Sequence, residues 1–349
     1  MTRHEFFEEL KRNITNVPKE ALDDIIYDLN EHFDAGLEDG LSESEICKKL
    51  GQPGTIAEQI NDEFKKSGET KKSGMQFQYA YDNEDGYVSI EETFENIKEI
   101  YVDMKVSDVY FERENRSDFR VTIKGKSKND RYTIDNINGK LEVVEHVPFK
   151  GFFGFTFTKN VVTTVYVPTQ FTGYITAKSS AGKIKAKDLT SPIKLSSSAG
   201  NVSVERHLSD HAVLDTSAGS IDANFLGSTA LKIYTGAGSI KLKANETTDL
   251  VLDTGAGSVK AEIEKLSGTS KLTSGAGSIK LTAYDVAGDI KLSSGAGSVK
   301  VYLPEDANIK LNLKKSSMGS VKSEINGNNS SPYTLKAQTG IGSIKIMRL

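Results

Sequence analysis

Seven lysines recur at one position of a repeated motif. Lys185, Lys241, Lys260, Lys280, Lys300, Lys322 and Lys345 each stand three residues after a glycine, with Ser203 and Asp222 as the interruptions. A row of ammonium groups of one sign holds an extended anion by charge; it does not by itself make or break bonds. If the repeats stack at the roughly 4.8 Å spacing of paired strands, neighbouring ammoniums repel by about 0.9 kcal/mol in water before salt screens them. Lysine along a sheet also discourages aggregation. Two readings therefore stand: binding of an anionic polymer or membrane through Lys241, Lys260, Lys280, Lys300, Lys322 and Lys345, or solubility alone.

The other candidates for chemistry are sparse. His207 and His211 have a metal-like spacing for a helix, but they fall between strand-like runs with no third ligand, which predicts a solvated turn. Cys47, the single cysteine, has no histidine partner nearby in sequence and reads as structural. The GAGS turns lack the helix that a dinucleotide loop requires, the lysine of a phosphate loop and the aspartates of calcium-binding repeats. Phe149, Phe152, Phe153, Phe155 and Phe157 crowd one short stretch that also carries Lys150 and ends at Lys159. They read either as a cap over exposed strand edges or as a hydrophobic patch for a partner or an interface. No catalytic, cofactor or metal site is expected, and the chain is not expected to be an enzyme.

The lysines must be positioned by the repeat that carries them. SGAGSIKL and its relatives recur on Gly182, Gly200, Gly219, Gly238, Gly257, Gly277, Gly297, Gly319 and Gly342. Two residues after each glycine stands Ile or Val, and five residues before most of them stands Leu or Ile, as at Leu195, Leu214, Ile233, Leu252, Leu272 and Leu292. Each unit thus holds two short strands of alternating polarity joined at a glycine corner. So short a unit cannot bury its own apolar face, and successive units must stack. The pattern predicts a mostly β protein, a parallel β-solenoid with rungs of about 19–20 residues. A Ser or Thr precedes every anchor glycine by three residues, which predicts hydroxyls hydrogen-bonded along the stack. The glycine itself is expected to take a backbone angle other residues avoid.

The 349 residues divide by pattern and by charge. Residues 1–74 carry 10 basic and 17 acidic side chains, whereas residues 170–349 carry 22 and 15. The acidic helical part offers no reading head for DNA, so nucleic acid is not an expected partner. The start, MTRHEFFEELKRN, is charged where a signal peptide needs an apolar run, and no stretch approaches a membrane span. A cytoplasmic protein is expected, with membrane association or non-standard export to the cell surface left open.

Residues 1–66 predict four helices. Thr2 with Glu5, Ser42 with Glu45 and Thr55 with Glu58 have capping-box spacing, and Phe6, Leu10, Ile25, Leu29, Phe33, Ile46, Leu50, Ile56, Ile60 and Phe64 line apolar faces. Residues 67–76 read as a flexible linker. Residues 77–169 read as irregular first coils of the solenoid, and residues 170–349 as its regular repeats.

EFFEEL, EHFDAGLEDGLSESEI and KKLGQP make the first 65 residues similar to the HAAS signalling domain of Firmicutes. That resemblance implies a protein-interaction role, with a PadR-type regulator or a membrane protein of the same operon as partner. The TTVYVP strand and the serial SGAGS[IV]K turns resemble the adhesin-like family of right-handed β-helix domains over roughly residues 90–349. This half is also similar to the solenoid half of LiaX-like envelope-stress proteins of Gram-positive bacteria. The resemblances imply a non-enzymatic regulatory protein, with an extracellular adhesin as the alternative and a polysaccharide-acting enzyme behind it.

Overall fold

The computed structural model describes residues 1–15, 17, 22, 25–26, 29–30, 33–34, 36–37, 40–67, 78–79, 87–126, 131–146, 161–314 and 318–349. The chain forms two compact units, one holding the N-terminal helices and the other the stacked strands. The linker expected over residues 67–76 lies almost wholly outside the described residues.

Three helices are continuous among the described residues: α1 (Arg3–Asn13), α2 (Glu43–Leu50) and α3 (Pro53–Ser67). The other expected helix, from Pro18, falls partly outside the described residues, and its described positions, among them Leu22, Ile25, Leu29 and Phe33, are helical. Its Ile25, Leu29 and Phe33 lie in one core with Phe6, Leu10, Ile46, Leu50, Ile56 and Ile60. Phe7 completes a ring cluster with Phe6 and Phe33, at centroid distances of 5.6–5.8 Å. Thr2 and Ser42 close capping boxes with Glu5 and Glu45, and the hydrogen bonds they make hold both carboxyls below the usual carboxylate range. The third box does not form, because α3 begins at Pro53 and places Thr55 and Glu58 inside the helix.

The second unit is a parallel solenoid through most of its length. On the first strand of each rung, Ile184 pairs with Val202, followed by Ile221, Ile240, Val259, Ile279 and Val299. On the second strand the line runs Leu195, Leu214, Ile233, Leu252, Leu272 and Leu292. Every one of these side chains is buried, so the core is a column of aliphatic layers with no single centre.

The corners need glycine because the backbones come too close for a side chain. Among the nine anchors, only Gly342 has φ in the positive region, at +143°. At Gly257 an added Cβ would lie 1.9 Å from the carbonyl oxygen of Gly238, and at Gly277 2.1 Å from that of Gly257. The expectation of an unusual backbone angle is therefore corrected to one of close approach. The hydroxyl column forms, with backbone as its partner. Thr235, Thr254, Ser274 and Ser294 each donate to the glycine carbonyl of the preceding rung at 2.8 Å. Thr235, Thr254 and Ser274 also accept from the glycine amide of their own corner. Each bond satisfies a backbone group that the stacking shields in whole or in part from water.

At both ends the rungs are stacked out of chain order, which corrects the expectation of a single sequential stack with near-constant rungs. At the C-terminal end Val299 pairs with Ile344, and Ile344 pairs on its other side with Val321. Thr339 accordingly donates to Gly297, 42 residues earlier. The last strands, Thr334–Ile341 and Ile344–Arg348, thus lie inside the rung that precedes them in sequence. Burial accounts for the exchange: Ile344 and Ile346 are fully buried inside, whereas the outer strand Val321–Ser323 is exposed throughout. The short, lysine-bearing strand takes the open edge, where it resists pairing with other chains.

The N-terminal end repeats the device. Val109 pairs with Ile184 on one side and Thr163 on the other, and Ile100 lies between Ile175 and Leu141. The strand Phe119–Lys126 then runs antiparallel to Val162–Pro168 and to Tyr87–Phe94. The first coils are therefore partly a hairpin-like cap rather than solenoid rungs.

At this end the Lys105–Ser107 corner has no glycine motif, and Glu145 organises it. Its buried carboxylate accepts from the amides of Lys105, Val106 and Ser107 at 2.6, 2.8 and 3.2 Å and from the Ser107 hydroxyl at 2.6 Å. Glu145→Ala would remove the buried acceptor that these donors share and should cost about 3 kcal/mol or more, read as a lowered denaturant midpoint. A midpoint equal to the parent's would show that the corner holds itself.

Candidate polyanion interface

The lysine column is a property of the stack more than of the chain. In register, Asp222 pairs with Lys241, Lys241 with Lys260, Lys260 with Lys280 and Lys280 with Lys300. Lys300 then pairs with Lys345, and Lys345 with Lys322. The exchanged order of the last rungs leaves no gap, and six exposed lysines follow one another on adjacent strands. Alternation makes them face outward, because Ile240, Leu242, Val259, Ala261, Ile279 and Leu281 on either side are buried.

Local partners mark the limits of the line. Lys241 is bridged to Asp222 at 3.0 Å and Lys322 to Glu324 at 3.6 Å. Lys280 lies 4.7 Å from the Tyr302 ring centroid. Among the described residues Lys260, Lys300 and Lys345 make no ion pair. Lys185 stands apart: Ser203 and Asp222 separate it from the line, and its hydrogen bond to Glu205, 2.7 Å away, holds the ammonium above its usual range. Such exposed bridges contribute little stability and can be exchanged for a bound anion.

The remaining candidates fall elsewhere. Phe149, Phe152, Phe153, Phe155 and Phe157 lie outside the described residues. His207 is not in a solvated turn: it lies within the strand Val202–Leu208 and is buried, while His211 opens the next strand. Among the described residues no group of His, Cys, Asp and Glu could hold a metal ion. Cys47 belongs to the helical core, and burial pushes its thiol up. Among the described residues, no helix is long and apolar enough to cross a membrane.

A second basic line escaped the sequence reading. Lys271, Lys291 and Lys336 are successive partners on the second strand of the last rungs, followed by Asn312. Its signal is hidden in the chain because Val213 and Val251 occupy the same column earlier and because Lys336 reaches Lys291 only through the exchanged order.

Comparison with known proteins places both units. Residues 5–59 match the family described as HAAS, and residues 97–347 match the family described as Toastrack DUF4097. No curated protein matches the chain. Among solved structures, a candidate lipid-binding protein from Parabacteroides distasonis is 12% identical, with a TM-score of 0.42, covering 74% of this chain and 96% of its own. A candidate adhesin from Bacteroides fragilis is 15% identical with a TM-score of 0.34, over 75% of this chain and 97% of its own. Another from Parabacteroides merdae is 14% identical with a TM-score of 0.35, over 74% and 95%. With a HAAS domain at its N-terminus and the match spanning residues 97–347, the chain belongs to the Toastrack DUF4097 family.

Proposed function

We propose that this is a non-enzymatic, two-part binding protein whose solenoid holds a linear anionic polymer along the lysine line while its HAAS domain engages a protein partner. The observation that carries this reading is the continuity of Lys241, Lys260, Lys280, Lys300, Lys345 and Lys322 across strands that are not in chain order. General solubility is served by either sign of charge at scattered positions, and it does not require one sign to be kept where the chain exchanges its last rungs. A line one side chain wide, with a charge about every 4.8 Å, suits a polymer better than a plane of headgroups. A teichoic-acid-like polyphosphate has the required form.

The acidic helical domain supports a protein contact in preference to a second anion contact. A PadR-type regulator or a membrane protein of the same operon fits the HAAS assignment, and an envelope-stress role joins the two halves: polymer held by one, response passed by the other.

The test changes Lys260, Lys280, Lys300 and Lys345 together to Gln in the full chain. Co-sedimentation with teichoic acid at low salt is expected for the parent, with steep loss as salt rises, and to fall at least tenfold in the variant. Both proteins should melt alike, because the side chains are exposed. Equal binding by the variant, or none by the parent, would return the line to a solubility role. Binding to anionic vesicles without polymer binding would replace the polymer by a membrane.

A further inference from the structure

The second basic line ends in a cavity that the proposed polymer line does not use. It has a volume of about 240 Å³ and is lined by Lys291, Asn312, Lys314, Lys336 and Gln338, with Leu292 and Ala337. The exchanged stacking creates it. Strand Lys310–Lys314 pairs with Thr334–Ile341, which pairs in turn with the end of Ile279–Ala296. Lysines from three strands, distant in sequence, therefore converge.

Lys291 and Lys336 are direct partners, and Lys314 stands beside them, opposite Gln338. Gln338 is held in place by donating to the Ser293 hydroxyl at 3.0 Å. No carboxylate lines the cavity. The neighbouring Asp289 commits its Oδ1 to the Thr334 amide at 2.8 Å. Among the described residues none of the three lysines has an ion-pair partner, so three like charges share one concave space at a mutual Coulomb cost. Edge protection explains Lys314 on the outer strand, but not Lys291 or Lys336, which lie on inner ones.

We infer that this cavity is a site for a phosphoryl group, held by Lys291, Lys314 and Lys336 with the Asn312 carboxamide as a further donor. Three ammoniums match the charge and the tetrahedral oxygens of a phosphate ester or a diphosphate. A single carboxylate offers one charge and two oxygens in a plane, and satisfies them less well. The site is compact where the polymer line is extended, and it draws on different lysines, with only the strand Ile279–Ala296 contributing to both, so either can exist without the other.

Full-length protein titrated with inorganic pyrophosphate by calorimetry tests it, alongside vesicles containing phosphatidic acid. The variant carries Lys291→Gln and Lys336→Gln; the four-lysine variant described above is the control. Pyrophosphate affinity is expected to fall at least tenfold in the cavity variant and to persist in the control. Binding of the vesicles but not pyrophosphate, with the same dependence on Lys291 and Lys336, would support the site and identify a lipid headgroup as the source. Absence of both from the parent, equal affinity in the cavity variant, or equal loss in both variants would overturn it, the last by showing diffuse attraction to a basic surface. Melting temperatures matching the parent's exclude unfolding as the cause of a loss, and Lys291→Arg with Lys336→Arg, which keeps the charge, should retain binding.

Discussion

Gly277→Ala should destabilise the solenoid by about 3 kcal/mol or more, a large effect for one methyl group. Since φ at Gly277 is not in the left-handed region, alanine meets no backbone penalty there and, on unfolded-state entropy alone, should stabilise by about 0.4–1 kcal/mol. Against this, the new Cβ would lie 2.1 Å from the Gly257 oxygen, 2.5 Å from its carbonyl carbon and 2.8 Å from the Ser258 nitrogen. All three are backbone atoms of the neighbouring corner, so none can swing aside as a side chain would. The Gly257 oxygen also accepts the Ser274 hydroxyl at 2.8 Å, and that hydroxyl accepts the Gly277 amide at 2.7 Å. Opening the corner to admit a methyl group therefore breaks two part-buried hydrogen bonds as well. Ser274→Ala should cost about 1–3 kcal/mol through the same bonds, while Ser258→Ala, on the exposed side of a corner, should stay within about 0.5 kcal/mol. Denaturant midpoints decide it, and a Gly277→Ala midpoint at or above the parent's would show that the corners have room.

How much of this was legible in the sequence depends on what periodicity measures. The columns of Ile and Val after each glycine, and of Leu before it, identify the inward faces because alternation within a strand is a local property. The order of rungs is not local. Steps of 18 to 20 residues continue through Val299, and the repeats at Gly319 and Gly342 look like further steps of 22 and 23. Only burial distinguishes Ile344 and Ile346, suited to an interior place, from the strand Val321–Ser323 left outside. The glycine role was misassigned for a related reason: a backbone angle and a close approach select the same residue, and only the neighbouring rung tells them apart. Lys291, Lys314 and Lys336 could not be grouped without the exchanged order, whereas the polymer line was visible because all six of its lysines share one offset from the glycine. Glu145 gave no signal, since its three amide partners lie about 40 residues earlier.

His207 should make the protein sensitive to acid between pH 6.5 and about 4. Its position follows from an irregularity that the sequence hides. Arg206 takes φ of +48°, the register shifts beside His207, and the imidazole points inward to pair with Phe225 where alternation would send it out. The ring sits edge-on to Phe225 at 5.2 Å between centroids, neither nitrogen makes a well-formed hydrogen bond among the described residues, and the nearby Ser191 backbone offsets the burial only in part. Desolvation in this apolar column lowers its pKa to about 4 from 6.5. For a base with a depressed folded value, the unfolded chain binds the proton first as pH falls. Stability is therefore undiminished above pH 6.5, declines through the window, and is fully reduced below about 4. The loss by pH 4 is on the order of 3 kcal/mol from this residue alone. His207→Leu removes the group and leaves an apolar side chain against Phe225, so the variant should hold its stability where the parent declines. The difference between the two denaturant midpoints, followed from pH 7 to pH 4, isolates the histidine from the carboxylates that titrate in both proteins. Curves that stay parallel over that range would mean that the imidazole is hydrated or charged inside the fold.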